Sequence, residues 1–123
     1  MIVAFYEPRD RLEDNAELKR SLRELARRVP SLDVLAIGDV ASFDFDPVRS
    51  IVRRVVRTLG NKNDLEILLD WKGALTKPPF LLARGQANVM VIDREGVVVE
   101  RHVGVYDAHE IEALRARVEA LAS

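Results

Sequence analysis

The chain has 123 residues, 48% of them hydrophobic and 32% charged, which fits one domain with one core and not a disordered segment. Nineteen Lys and Arg nearly cancel twenty Asp and Glu, and the net charge of −1 argues against general affinity for nucleic acid or acidic membrane surfaces. Cysteine is absent, so no thiolate is available as a redox group or nucleophile.

Ile2 to Phe5 is an apolar run that predicts a buried strand, interrupted by Glu7-Pro8-Arg9-Asp10. Asp14, with Glu17 three residues later, reads as a capping box opening a helix. Leu18, Leu22, Leu25, Ala26 and Val29 follow at helical spacing, and Pro30-Ser31 ends the segment. Leu32 to Ile37 predicts a second strand, closed by Gly38. Asp46-Pro47 predicts the start of a second helix, with Gly60-Asn61 as its C-cap. Val48, Ile51, Val52, Val55, Val56 and Leu59 form its apolar face, and so many β-branched residues mean burial must hold it.

Leu65 to Leu69 predicts a third strand. Asp70 to Ala87 is irregular, with a break at Pro78-Pro79. Asn88 to Ile92 and Val97 to Val103 flank Asp93-Arg94-Glu95-Gly96, which predicts a β-hairpin. Asp107 and Glu110 form a second capping box, and Ile111, Leu114, Val118 and Leu121 form the core stripe of a last helix. The order β-α-β-α-β-β-β-α predicts an α/β fold with parallel strands, an antiparallel terminal hairpin and helices on both faces of one mixed sheet, as a single domain over residues 1–123.

That order resembles the thioredoxin-like (redoxin) superfamily. The segments that carry the likeness are Leu68-Leu69-Asp70, then Val91-Ile92-Asp93-Arg94-Glu95-Gly96, then Val103-Gly104 before the last helix. Within the superfamily the chain is most similar to the uncharacterised bacterial YtfJ family, through Asn15, Val48-Arg49-Ser50, Asp70 and the run Ala87 to Asp93. The resemblance implies a redox motif directly after the first strand, where this chain has Tyr6-Glu7-Pro8-Arg9-Asp10. It also implies a cis-proline about six residues before the hairpin Asp, in a loop that holds an extended peptide beside the thiol. That position is Ala87 here, and a cis bond before a residue other than proline costs about 3–4 kcal/mol, so a trans peptide is expected. Thiol–disulfide oxidoreductase and peroxidase activities are therefore excluded.

Glu7, Arg9, Asp10, Glu13 and Asp14 crowd the start of the first helix, at the carboxyl ends of the parallel strands, where open α/β sheets bind ligands. A catalytic reading makes one carboxylate a general base with a raised pKa, with Tyr6 or Arg9 as a nearby donor. The plainer reading has the acids capping the helix and opposing its dipole. His102 and His109 stand apart, with no Cys at ligand spacing, so no metal is expected. No Gly-rich phosphate loop exists, and no cofactor is expected.

Arg49, Arg53 and Arg57 recur every four residues along one helix face, and Trp71 follows the third strand. Together they are a candidate binding surface, although no aromatic residues interleave with the arginines as a stacking surface for bases needs. The favoured reading is a redox-inactive protein- or peptide-binding module, and the alternative is a non-thiol enzyme using carboxylates near Glu7 and Asp10. The strand Val97 to Val103 could also pair edge to edge in a homodimer. No apolar stretch approaches a membrane span. The first residues lack the features of an export signal, so a cytoplasmic location is expected for the chain as it stands, or a periplasmic one if an export segment precedes it.

Overall fold

A computed structural model describes residues 1–41, 50, 51, 53, 54, 57 and 67–123. Strand β1 (Ile2–Pro8) leads through a 3-10 turn (Arg9–Arg11) into helix α1 (Ala16–Arg28), followed by β2 (Asp33–Asp39). After β3 (Ile67–Asp70) and a second 3-10 turn (Ala74–Thr76) come β4 (Asn88–Ile92), β5 (Val98–Val103) and helix α2 (Ala108–Ala122). The predicted helix start at Asp46-Pro47, its Gly60-Asn61 cap, Arg49, most of its apolar face and the start of the third strand lie outside the described residues.

The five strands form one sheet in the order β3-β2-β1-β4-β5. β1 pairs parallel with β2, and β2 with β3, whereas β4 runs antiparallel to both β1 and β5. Alternation along the strands sorts the side chains onto two faces. Val3, Phe5, Val89 and Val91 face a core completed by Leu18, Leu22 and Leu25 of α1 and Leu114, Val118 and Ala122 of α2. The other face carries Ala4, Tyr6, Asn88 and Met90, all buried. Fully burying a side chain of the Leu or Phe class stabilises by roughly 1.5–3 kcal/mol, so this core outweighs any single surface contact.

β1 runs on through Glu7 to Pro8 and β2 through Gly38 to Asp39, past the predicted strand ends, and four further sequence expectations change. The N-cap of α1 is Asn15 and makes no side-chain cap bond, so the Asp14/Glu17 capping box does not form. Asn15 is instead buried and turned across the molecule, accepting the Tyr106 amide at 2.9 Å and donating to the Gly104 carbonyl at 3.2 Å. Leu121 is exposed, because the buried stripe of α2 runs Leu114, Val118, Ala122 at four-residue steps. Ile51, expected on the apolar face of the second helix, is exposed, as are the helical residues Arg53, Arg54 and Arg57.

The fourth change is in β5. A register shift pairs Glu100 with Val91 but Val98 with Ile92. This bulge breaks the simple alternation expected along Val97 to Val103. The Asp107/Glu110 capping box of α2 forms as expected, with the Glu110 amide donating to Asp107 Oδ1 at 2.8 Å.

Candidate functional site

The parallel strands end in register, with Pro8 beside Asp39 and Asp39 beside Asp70. This is the corner where the sequence placed Tyr6, Glu7, Pro8, Arg9 and Asp10. The structure divides those residues. Tyr6 and Glu7 are buried, Arg9 and Asp10 are exposed on the 3-10 turn, and Pro8 precedes that turn in extended conformation.

Tyr6 points to the face away from α1 and donates its hydroxyl to Asp70 Oδ2 at 2.7 Å. Burial, the bond to Asp70 and the charge of Asp39 hold the phenol far above its ordinary pKa, so it stays protonated as a donor. Burial alone pushes the Asp70 carboxyl up, but hydrogen bonds from Tyr6 and from the amides of Ala74, Leu75 and Lys72 outweigh it and leave the pKa lowered. The Ala74 and Leu75 amides approach at 3.1 and 3.2 Å, so Asp70 also organises the turn after β3.

Glu7 points the other way, under α1, with no exposed surface. One carboxylate oxygen accepts from Lys19 Nζ, which also donates to the Leu12 carbonyl at 2.6 Å. Its Oε2 is buried without a hydrogen-bond partner among the described residues. Burial pushes the Glu7 pKa up to about 7 against the lowering effect of Lys19, and the charge of Asp14 adds to the rise. The result is a carboxyl that exchanges a proton near neutrality but that a substrate cannot reach.

Ala87 is buried, its peptide bond is trans, and its carbonyl accepts the Gly104 amide at 2.8 Å. The cis bond among the described residues is Pro78–Pro79. Next to Ala87, the Asn88 side chain accepts from the Ala83 amide at 2.9 Å and lies within bonding distance of the carbonyls of Ala83, Gln86 and Tyr6 at 2.8, 3.0 and 3.2 Å. Asn88 thereby uses, from inside, backbone groups of the loop that the resemblance casts as a peptide clamp.

Of the arginine surface, Arg49 lies outside the described residues, and Arg53 and Arg57 are exposed. The Arg53 guanidinium stacks over the ring of half-buried Trp71, 5.3 Å from its centroid. A cleft of about 310 Å³ opens elsewhere, between α1 and β2, lined by Arg23, Ala26, Arg27, Leu32, Asp33 and Val34. His102 packs against Tyr106 with ring centroids 4.1 Å apart, and His109 is exposed in the first turn of α2. Among the described residues, no group of three or more His, Asp or Glu stands together for a metal, and no helix is long and apolar enough to cross a membrane.

The buried polar residues at this corner that sequence reasoning missed are Lys19, Asp39 and Asn88. Glu7 shares the parity of Val3 and Phe5, which is a signal for burial, and Lys19 adjoins the Leu18/Leu22 stripe.

The sheet order and the terminal hairpin define a thioredoxin-like α/β fold. No protein-family model matches the chain, and no curated protein matches it in sequence. Among solved structures, it is similar to a Chlorobium tepidum protein provisionally assigned as the thiol:disulfide interchange protein DsbE, with TM-score 0.72, 15% identity and coverage of 99% of this chain and 79% of that one. StoA from Bacillus subtilis has TM-score 0.65 and 15% identity, covering 95% of this chain and 81% of that one. A secreted Mycobacterium tuberculosis disulfide oxidoreductase homologous to E. coli DsbE has TM-score 0.65 and 16% identity, covering 98% and 81%. At such identities the likeness is one of fold.

Proposed function

We propose that this chain is a redox-inactive thioredoxin-fold protein that works by binding another protein, through the outer edge of β5 and not at the corner. The observation that carries the reading is the row of exposed valines, Val97, Val98, Val99, Val103 and Val105, on and beside an edge strand. Single exposed apolar residues are ordinary, but a run of them along an unpaired edge marks an interaction site or an aggregation hazard. The absence of cysteine supports the redox half of the reading.

Placement near the YtfJ family is part of the proposal and rests on Asn15, Val48-Arg49-Ser50, Asp70 and the run Ala87 to Asp93. One similar structure is described as secreted and another, from Streptococcus pneumoniae, as an exposed lipoprotein, which makes an extracytoplasmic location a reading to test by cell fractionation.

The carboxylate-enzyme alternative gains one supporting feature, the raised pKa of Glu7. It is opposed by the burial of that residue and its bond to Lys19.

The test is affinity capture with wild type and two variants, Val98→Lys/Val103→Lys at the edge and Arg53→Glu/Arg57→Glu on the helix face. Loss of a captured partner in the edge variant alone is expected. Loss in the arginine variant alone moves the surface to the helix face. Insulin reduction by the pure protein overturns the redox-inactive reading.

A further inference from the structure

We propose that β5 receives an extended acidic segment of another protein, added antiparallel to its outer edge with an Asp or Glu opposite Arg101. The inference rests on the binding reading above and adds the chemistry of the partner.

The backbone comes first. Gly104 donates its amide to the Ala87 carbonyl at 2.8 Å, and Asp93 donates to the Val97 carbonyl at 2.9 Å. In the alternation of an antiparallel ladder, those two bonds turn the backbone groups of Val98, Arg101 and Val103 away from β4. Among the described residues β5 is the last strand of the sheet, so these groups form an open edge for a further strand.

The side chains follow the same three residues. Val98 lies opposite Ile92, Arg101 opposite Met90 and Val103 opposite Asn88. Residues at alternate positions of β4 share a face, so Val98, Arg101 and Val103 share it too. The bulge at Val99–Glu100 creates this grouping by skipping one residue. Glu100 is turned to the other face, where it pairs with Arg117 of α2 at 2.7 Å.

Arg101 is therefore flanked on its own face by two exposed valines. It donates Nη2 to the Phe80 carbonyl at 2.5 Å. That bond holds the guanidinium beside the strand, uses one of its five N–H donors and leaves its charge without a carboxylate among the described residues. Phe80, whose carbonyl the arginine reaches, and the next residue, Leu81, both have exposed apolar side chains. Leu81 has φ of 52°, in the left-handed region that a leucine occupies only under constraint, and is 61% exposed. The surface is an unneutralised cation set in an apolar frame beside open backbone groups. Its complement is a strand of pattern apolar-x-acid-x-apolar.

A second copy of this chain fits less well. Pairing the outward groups around a two-fold axis sets Arg101 against Val103 of the second copy, and a register centred on Arg101 sets like charges opposite each other.

The test is an NMR titration of labelled full-length protein with acetylated Thr-Val-Thr-Glu-Thr-Val-Thr and its counterpart carrying Lys for Glu. Amides between residues 98 and 103 are expected to shift, with the Glu peptide bound about fivefold tighter. Arg101→Glu, at an exposed position, should keep the dispersed spectrum and invert the preference. Equal affinity for both peptides at β5 overturns the acidic-partner inference and leaves the binding reading standing. Absence of shifts with the Glu peptide, or shifts confined to other residues, overturns the inference, and the capture experiment decides the binding reading separately. Concentration-dependent broadening of the same amides without peptide assigns the edge to a second copy and overturns the inference as well.

Discussion

The corner where the parallel strands end and the outer edge at β5 use their polar groups in opposite ways. At the corner, Glu7 turns inward to Lys19, Tyr6 bonds Asp70, and Asn88 takes up backbone groups of its own loop. Buried polar groups are tolerated only when paired, so each of these bonds removes a group that a ligand could have used. At β5 the backbone faces outward and the neighbouring side chains are exposed valines. The corner is thus closed by its own side chains, whereas the edge keeps exposed apolar side chains beside outward backbone groups.

The largest expected effect comes from breaking the seal. Lys19→Met keeps the apolar stem and removes the partner of a fully buried carboxylate. Stripping one member from a buried ion pair costs about 3–5 kcal/mol, because the remaining charge is uncompensated. Urea unfolding at pH 8 should show a loss of that size, and the loss should shrink at pH 5, where Glu7 takes a proton. A cost below about 1 kcal/mol at pH 8, as for an exposed pair, would mean the pair does not close the corner.

The second effect is the pH dependence itself. Glu7 titrates near the ordinary carboxylate value of 4.5 when unfolded, and burial raises it to about 7 when folded. Between those values the folded chain binds the extra proton, so stability falls as pH rises. The contribution is fully present below pH 4.5 and lost as pH passes through 7. Glu7→Gln keeps the shape and removes the titration. The difference in unfolding free energy between wild type and Glu7→Gln should therefore fall by on the order of 3 kcal/mol from pH 4.5 to pH 8. A flat difference across that range would show that the buried carboxyl is not the titrating group.

The two regions also differ in how much the sequence revealed. Strand positions were legible because Val3, Phe5, Val89 and Val91 sit in short apolar runs, and α2 announced itself by the Asp107/Glu110 capping box. The absence of a thiol was legible from composition alone. The direction of Glu7 was hidden because a lone acid among Arg9, Asp10 and Glu13 looks like helix-start chemistry. Its shared parity with Val3 and Phe5 was the one signal in the sequence, and the packing of β1 under α1 places it on the inner face. Asn15 and Asn88 were hidden for a related reason, since their partners lie up to 91 residues away along the chain. The grouping of Val98 with Arg101 depends on a bulge, and one skipped residue reverses every parity argument beyond it.

The smallest effect on stability is expected at the edge, and it sharpens the comparison most. Val98→Thr and Val103→Thr keep β-branched shape and strand propensity while replacing a methyl group with a hydroxyl. Both positions are at least 40% exposed, so the hydroxyls stay hydrated and each variant should lie within about 0.5 kcal/mol of wild type in urea unfolding. Binding of the Glu-containing strand peptide should nevertheless weaken in both, because the apolar contacts beside Arg101 are reduced while the backbone edge is untouched. If stability falls by more than about 1 kcal/mol, the valines are supporting the fold and their exposure does not mark a contact surface.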